Sequence, residues 1–450
     1  MLCAEDIRSL AYGLPEGIRS LREAGYIDRE LAAIDDLLGR DIPQALRTRL
    51  TLEREIALRL TRDYTTSYEA LLSRLQSRFP ACTADDLDRL IADGRADWRL
   101  RDGKIRFQND CADSLEINAL PVLTHGEGRH EPEDDPLGAR ACAAKMRENG
   151  RLALRHRLRH SVWPSDEARQ PGARILVHIP MPAETDTQGN LRILDAAPGG
   201  FLSDAAQRTL SFDTVDRPGQ VYFAEYTFDA VQRYVPFAPE AVCAEQPDAF
   251  CGEEYPHIRF TPYLRALAQE IAGTEPNALL RARRIYDFIT KRVAYSYMPD
   301  YLVIENLPEY AAMNLRGDCG VQALLFITLC RIAGIGAVWQ SGLSLRPGRA
   351  GSHDWARYYV APFGWLYADL SCGGDAWREG DTAMHDFYSR CTVPLRMIAN
   401  NAFGTPFDPP KRYLRIDPFD SQTGEIEYEN RGLCAAERRL RRENLGSEPL

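Results

Sequence analysis

The sequence predicts an α+β protein: a helical amino-terminal region, a β-sandwich-like middle, and a mixed helix-and-sheet half towards the carboxy terminus. Three observations predict it. Apolar residues recur at helical spacing over the first 95 residues, as Leu31, Ile34, Leu37 and Leu38 do, and then Leu46, Leu50 and Leu52. Between about 150 and 240 short runs of β-branched and aromatic residues alternate with turn formers. From about 260 helices return, and three short strands follow residue 335. At roughly 150 residues per domain, 450 residues make about three domains. The expected division is 1–120 helical and ending in a β-hairpin, 121–149 linker, 150–255 sandwich, 256–375 core and 376–450 a wrap that completes the core.

Composition narrows the function. There are 55 basic and 65 acidic residues, a net charge of −10, with 44% hydrophobic and 27% charged residues. That is a core-forming composition, not a disordered one. An acidic balance argues against a nucleic-acid partner, because phosphate attraction needs a basic surface. No apolar run approaches the roughly 18 residues of a membrane span, so no membrane partner is expected. Met1-Leu2-Cys3-Ala4-Glu5-Asp6 lacks the apolar block of a secretory signal, so a complete, cytoplasmic chain is expected. The 11 cysteines contain no Cys-x-x-Cys, and there is no His-Glu-x-x-His. Neither a metal nor a cofactor is expected, and most cysteines are read as reduced, small and buried.

The elements can be justified in order. Thr83-Ala84-Asp85-Asp86 opens a helix with a capping threonine and early acids. Trp98 to Phe107 alternates around Asp102-Gly103, a hairpin signal. A helix followed by a hairpin also describes a winged-helix reader of DNA, but no basic recognition helix accompanies it, and a packing hairpin is the reading taken. Residues 124–138 are rich in Gly, Pro and charge and read as a solvated linker; His125 and His130 lie there without the further ligands a metal needs. Ile175–Ile179 and Gln220–Phe228 read as strands. Tyr263–Ala272 and Pro276–Val293 read as helices, the second carrying Arg281, Arg283 and Arg284, a solvated flank or an anion clamp.

The chemistry concentrates after residue 315. Arg316-Gly317-Asp318-Cys319-Gly320 runs directly into an apolar helix ending at Ala333-Gly334. A helix start offers free N–H groups and partial positive charge, which favour a thiolate. Gly317 and Gly320 would let the backbone turn tightly and a substrate approach. A strand over Gly336–Leu345, a loop over Arg346–Gly351, a strand over Ser352–Val360 bearing His353, and a strand over Trp365–Asp369 follow. Neighbouring strands would bring His353 and Asp369 into hydrogen-bond range, whereas Asp354 should point to the opposite face. Cysteine, histidine and acid in this order follow the logic of a cysteine-hydrolase triad.

These residues resemble the transglutaminase-like superfamily: Gly317-Asp318-Cys319, the helix ending Arg331-Ile332-Ala333-Gly334-Ile335, His353-Asp354-Trp355, and Gly364-Trp365 leading to Asp369. The helix running into Ala294-Tyr295-Ser296-Tyr297 is similar to the one that precedes the family's cysteine. The resemblance spans about 260–375 and implies a papain-like core, with a sandwich before it as in bacterial members. It implies Cys319 as nucleophile, His353 as general base and acid, and Asp369 as the orienting acid. The expected activity is hydrolysis of an amide in a peptide, isopeptide or peptide conjugate through a thioester. Crosslinking or deamidation, and a non-catalytic binding module, are the alternatives. The N–H of Cys319 is the first expected oxyanion donor, and Tyr295, Tyr297 or Gln322 could supply a second. Trp339, Trp355 and Trp365 are expected as core residues beside the site, with cleft lining by one of them as the alternative. Arg396 and Asn400 are expected either to contact substrate or to pin the wrap. Ala435–Asn444 is read as a short charged helix.

Overall fold

The computed structural model describes residues 2, 4–126 and 138–450. Residues 127–137 of the expected linker, His130 among them, lie outside the described residues. His125 is described, and its Nε2 lies 2.9 Å from Asp86 Oδ2.

The chain opens with α1 (Glu16–Glu23), α2 (Ile27–Leu38) and α3 (Gln44–Asp63). The helix α3 has two apolar faces. Leu50 packs with Ile18 and Ile34, while Leu52, Ile56 and Leu60 join the large core that also holds Leu302 and Val303. Next come β1 (Tyr64–Thr66), α4 (Tyr68–Arg78), α5 (Ala84–Ala92), β2 (Trp98–Arg101), β3 (Lys104–Gln108) and α6 (Cys111–Leu123). Thr83 caps α5 in a reciprocal box: its Oγ1 accepts the Asp86 N–H at 3.2 Å, and Asp86 Oδ2 accepts the Thr83 N–H at 2.9 Å. Asp102 (φ 50°) and Gly103 (φ 74°) make the left-handed pair that a two-residue hairpin needs. This hairpin does not close the region, because α6 follows it and shares a small core with Leu71, Leu87 and Phe107. The expected linker also contains a helix, α7 (Ala139–Asn149), bracketed by Gly138 and by Gly150, whose φ of 75° terminates it.

The middle forms two antiparallel sheets from β4 (Arg151–Pro164), β5 (Arg174–Pro180), β6 (Gln188–Ala196), β7 (Gly200–Leu202), β8 (Thr209–Val215) and β9 (Tyr222–Arg233). One sheet runs β4-β9-β6 and the other β5-β8-β7, and each gains a fourth strand from the far end of the chain. Their inward faces share a core that includes Leu158, Val177, Phe212 and Tyr226.

The third region contains α8 (Pro262–Ala272), α9 (Ala278–Arg292), β10 (Ala294–Tyr295), α10 (Leu307–Asn314), β11 (Arg316–Gly317), α11 (Cys319–Ile332), β12 (Ala337–Arg346), β13 (Arg349–Val360), β14 (Gly364–Ala368), α12 (Leu370–Arg378), α13 (Thr382–Tyr388) and β15 (Arg396–Asn400). Four strands form one antiparallel sheet in the order β14-β13-β12-β15. The helix α11 is apolar on every side because it is buried on every side, and Phe326 meets Tyr358 of β13 edge-on at 5.5 Å. The loop expected over 346–351 is only the turn Pro347-Gly348: Pro presets its own φ, Gly348 supplies φ 73°, and both strands extend up to it. The basic flank of α9 is neutralised within the protein. Arg281 donates to the Glu275 and Pro276 carbonyls, Arg283 pairs with Asp287 and Asp386, and Arg284 pairs with Glu275.

The carboxy-terminal wrap serves more than the core. After β15 it adds β16 (Glu425–Tyr428) to β5 and β17 (Arg438–Pro449) to β4. The expected helix over Ala435–Asn444 is therefore corrected to a short 3-10 turn followed by a long strand. Arg and Glu favour a helix locally, but β4 presents a long open edge, and a ladder from Arg438↔Pro164 to Pro449↔Leu154 satisfies it. Among the described residues no helix is long and apolar enough to cross a membrane.

Candidate active site

Asp318 caps α11: its Oδ1 accepts the Val321 N–H at 3.1 Å and the Tyr301 hydroxyl at 2.5 Å. Cys319 is thereby set at the first helical position. The two-residue parallel ladder Ala294↔Arg316 and Tyr295↔Gly317 brings β10 alongside the approach to this cysteine. The glycines beside it serve packing, not a left-handed turn, since neither has a positive φ. A Cβ on Gly320 would stand 2.3 Å from Tyr301 Oη and 2.8 Å from Asp354 Oδ2, and one on Gly317 would stand 2.6 Å from Val321 Cγ1.

His353 and Asp369 come together as the strand geometry predicts, with Nε2 and Oδ2 2.9 Å apart and both residues buried. Asp369 ends β14, caps α12, and accepts the Cys372 N–H on Oδ1 at 3.2 Å. Arg396 on β15 donates from Nη2 to the same Oδ2 at 2.9 Å, and from Nη1 to Ser344 Oγ at 3.0 Å. Burial alone would raise the Asp369 carboxyl, but the charges of His353 and Arg396 outweigh it and hold the acid well below the carboxylate range. Asp369 is thus ionised, and it fixes the imidazole through Nε2, leaving Nδ1 as the ring nitrogen open to another group.

Cys319 is placed differently from the sequence expectation. Its thiol donates to Asp354 Oδ2 at 3.3 Å, and among the described residues no hydrogen bond joins it to His353. Burial and the carboxylates of Asp354 and Asp318 push the thiol well above its ordinary value, so the resting sulfur is neutral. The helix start cannot offset this, because the charge at one end of a helix is only partial, while two carboxyl groups stand beside the sulfur. Asp354 itself is pushed up to about 8 by burial and by Asp318. Asp354 and His353 diverge across the strand, as alternation requires.

The weaker candidates separate. The Gln322 amide is committed to the Gly317 carbonyl at 2.9 Å. Tyr295 is half-buried, with its ring edge-on to the exposed Tyr297 at 5.7 Å. Burial first, then the charges of Cys319 and Asp318, push its phenol far upward, which places it by the thiol. Trp355 is buried with Nε1 donating to Gln340 Oε1 at 3.1 Å, and Trp339 is buried also. Arg396 and Asn400 are committed to partners inside the protein. The first is buried on Asp369, and the second, fully buried, bonds Ser341 and the backbone of Ser421.

Three participants escaped the sequence reading. Cys372 lies 3.8 Å from His353 Nε2 and 3.3 Å from Arg396 Nη2; its only signal was its place three residues after a capping acid. Tyr301 and Gln422 come from segments distant in sequence. The Gln422 amide donates to Asp354 Oδ1 at 2.5 Å and to the His353 carbonyl at 3.0 Å. His353, Asp369 and Cys372 offer three donor atoms within 4.8 Å of one another. They do not suit a divalent cation, because the Arg396 guanidinium already supplies the positive charge to Asp369 and Cys372.

Residues 265–370 match the model of the transglutaminase-like superfamily, a span that includes Cys319, His353 and Asp369. No curated protein matches the chain. Among solved structures, a proposed cysteine protease from Cytophaga hutchinsonii is 13% identical, with 67% of this chain and 90% of that one covered and a TM-score of 0.37. The periplasmic domain of TgpA from Pseudomonas aeruginosa is 14% identical over 56% of this chain and 97% of that one, with a TM-score of 0.28. A proposed protease from Parabacteroides distasonis is 12% identical over 48% and 63%, with a TM-score of 0.20. The chain carries a transglutaminase-like superfamily core over residues 265–370.

Proposed function

We propose that this protein is a cysteine-dependent hydrolase of an amide bond in a peptide, isopeptide or peptide conjugate, with Cys319, His353 and Asp369 as its triad. The observation that carries the reading is the buried pair of His353 Nε2 and Asp369 Oδ2 at 2.9 Å. It orients an imidazole on the strand position next to the residue that touches a helix-borne thiol. With Nε2 engaged, Nδ1 takes the proton from Cys319 Sγ. The thiolate attacks the amide carbonyl, and the Cys319 N–H at the start of α11 receives the developing oxyanion. The Tyr295 hydroxyl, for which no hydrogen bond is found among the described residues, is the second donor. His353 returns its proton to the leaving amine, leaving a thioester on Cys319. Water then adds to that carbonyl, gives a proton to His353, and the acid departs as Sγ is released. Asp369 stays ionised and stabilises the imidazolium throughout.

The test is turnover of a diverse amide and glycopeptide library by the full chain, with Cys319→Ala as the blank. The reading expects product with the free amine and free acid, a Cys319 thioester trapped on acid quench, and loss of both in Cys319→Ala and His353→Ala. Amine incorporation exceeding hydrolysis would replace hydrolysis with acyl transfer. Ligand binding unimpaired by Cys319→Ser, without turnover of any amide, would replace both with a binding module.

A further inference from the structure

The contact between Cys319 and Asp354 has no part in the reaction just described, yet three separate elements converge on it. The carboxyl comes from β13, on the face opposite His353, and reaches the thiol at 3.3 Å. The helix α11 makes room for it with Gly320, where a Cβ would stand 2.8 Å from Asp354 Oδ2. The carboxy-terminal wrap grips its other side, where Gln422 bonds both Asp354 Oδ1 and the His353 carbonyl, and the Asp420 carboxyl stands beside Asp354. A side chain fixed from two sides does not drift, so the thiol is held where the carboxyl is.

We propose that Asp354 is a positioning residue that parks the Cys319 thiol away from His353, and that the reaction begins when Sγ swings from Asp354 to His353 Nδ1. This rests on Cys319 being the nucleophile. On arrival the S–H bond breaks and the N–H bond forms, while Asp354 keeps its bond to Gln422. The groups facing Asp354 make the parked state a neutral one. Asp318 stands on α11, Asp417 and Asp420 on the wrap, and Tyr301 on a 3-10 turn; Arg415 is the cation beside Asp417 and Asp420. Acid surrounds the sulfur in the parked position, and an imidazole awaits it in the other. The arrangement protects the thiol from adventitious alkylation and oxidation until it turns.

The test is the rate at which iodoacetamide labels Cys319 in the full chain, read by peptide mass spectrometry from pH 6 to 10, with the exposed Cys243 as internal reference. Asp354→Asn keeps the shape and removes the charge that Asp354 carries above about pH 8. It is expected to accelerate Cys319 labelling at pH 9 by about tenfold, the effect of one unit in thiol pKa, and to move the labelling midpoint to lower pH. Asp354→Ser is expected to act in the same direction. Measured against His353→Ala, the gain in the double variant Asp354→Asn/His353→Ala is expected to be smaller than the gain in Asp354→Asn alone, since the released thiol has no imidazole to reach. Continued protection of the buried Cys330 and Cys391 reports that the variants remain folded. Slower or unchanged labelling in both single variants overturns the parking role, and a gain that is undiminished in the double variant overturns delivery to His353. These readouts need no substrate, so they stand even if amide turnover is never observed.

Discussion

Arg396→Met removes one of the two cationic partners of Asp369 while preserving much of the side chain's length. Asp369 is fully buried, and His353 and Arg396 each approach Oδ2 at 2.9 Å. At an effective dielectric of about 20 and a charge separation of about 4 Å, the Arg396–Asp369 attraction is worth roughly 4 kcal/mol. Breaking a buried pair from one side typically costs about 3–5 kcal/mol, because the remaining charge stays desolvated. The variant is therefore expected to lose about 3–5 kcal/mol in urea unfolding at pH 7. The pH dependence follows from the direction of the shift. A carboxyl held low in the folded state contributes stability that is present above its unfolded value of about 3.9 and is lost as the pH falls below it. Without Arg396, burial is opposed by His353 alone, and the carboxyl takes up a proton at a higher pH than in the wild type. The gap between wild type and variant is thus widest at pH 7 and narrows towards pH 4. A loss under about 1 kcal/mol at pH 7, well short of the buried-pair range, or a gap that does not change with pH, would refute the charge assignment.

Two further predictions follow from packing and burial. Gly373→Ala should destabilise the protein, although alanine ordinarily gains about 1 kcal/mol over glycine in a helix. Its Cβ would stand 1.8 Å from Tyr286 Oη, and that hydroxyl is fully buried and bonded to the His385 carbonyl at 2.8 Å. Overpacking of this kind costs about 1–3 kcal/mol, so a Tm equal to or above wild type would contradict it. Stability should also fall as pH rises from 6.5 to 8. Burial raises Asp354 and Asp420 to about 8, so the stability they contribute is full below about 3.9 and is lost on the way up to that pH. The buried His156, His178 and His257 are lowered to about 4, 3 and 3, and their opposing slope ends once the unfolded value near 6.5 is passed. Thermal melts across that interval should decline, with a shallower decline in Asp354→Asn; a flat or rising profile would show these acids to be ionised in the folded chain.

Much of the core was legible because its signals are local. The strand period placed His353 and Asp369 on one face and Asp354 on the other, the capping threonine announced α5, and the apolar run after Gly320 announced α11. The hairpin at Asp102-Gly103 and the helical repeat around Leu31 and Ile34 were equally local. Where local and distant preferences opposed each other the reading failed: β17 has helix-forming residues, yet it pairs with β4, about 280 residues earlier in the chain. Arg396 and Asn400 sit in a segment rich in turn formers, and nothing near them in sequence reveals that Asp369 and Ser341 claim their side chains.

The sequence by itself determined which groups can react and the local frame of each: a cysteine at a helix start, and a histidine and an acid on adjacent strands. Only the tertiary structure decided the state of the sulfur. Ionisation depends on burial and on every charge within several ångströms, and here Asp318, Asp354, Asp420 and Gln422 arrive from three separate stretches of chain to hold a neutral thiol.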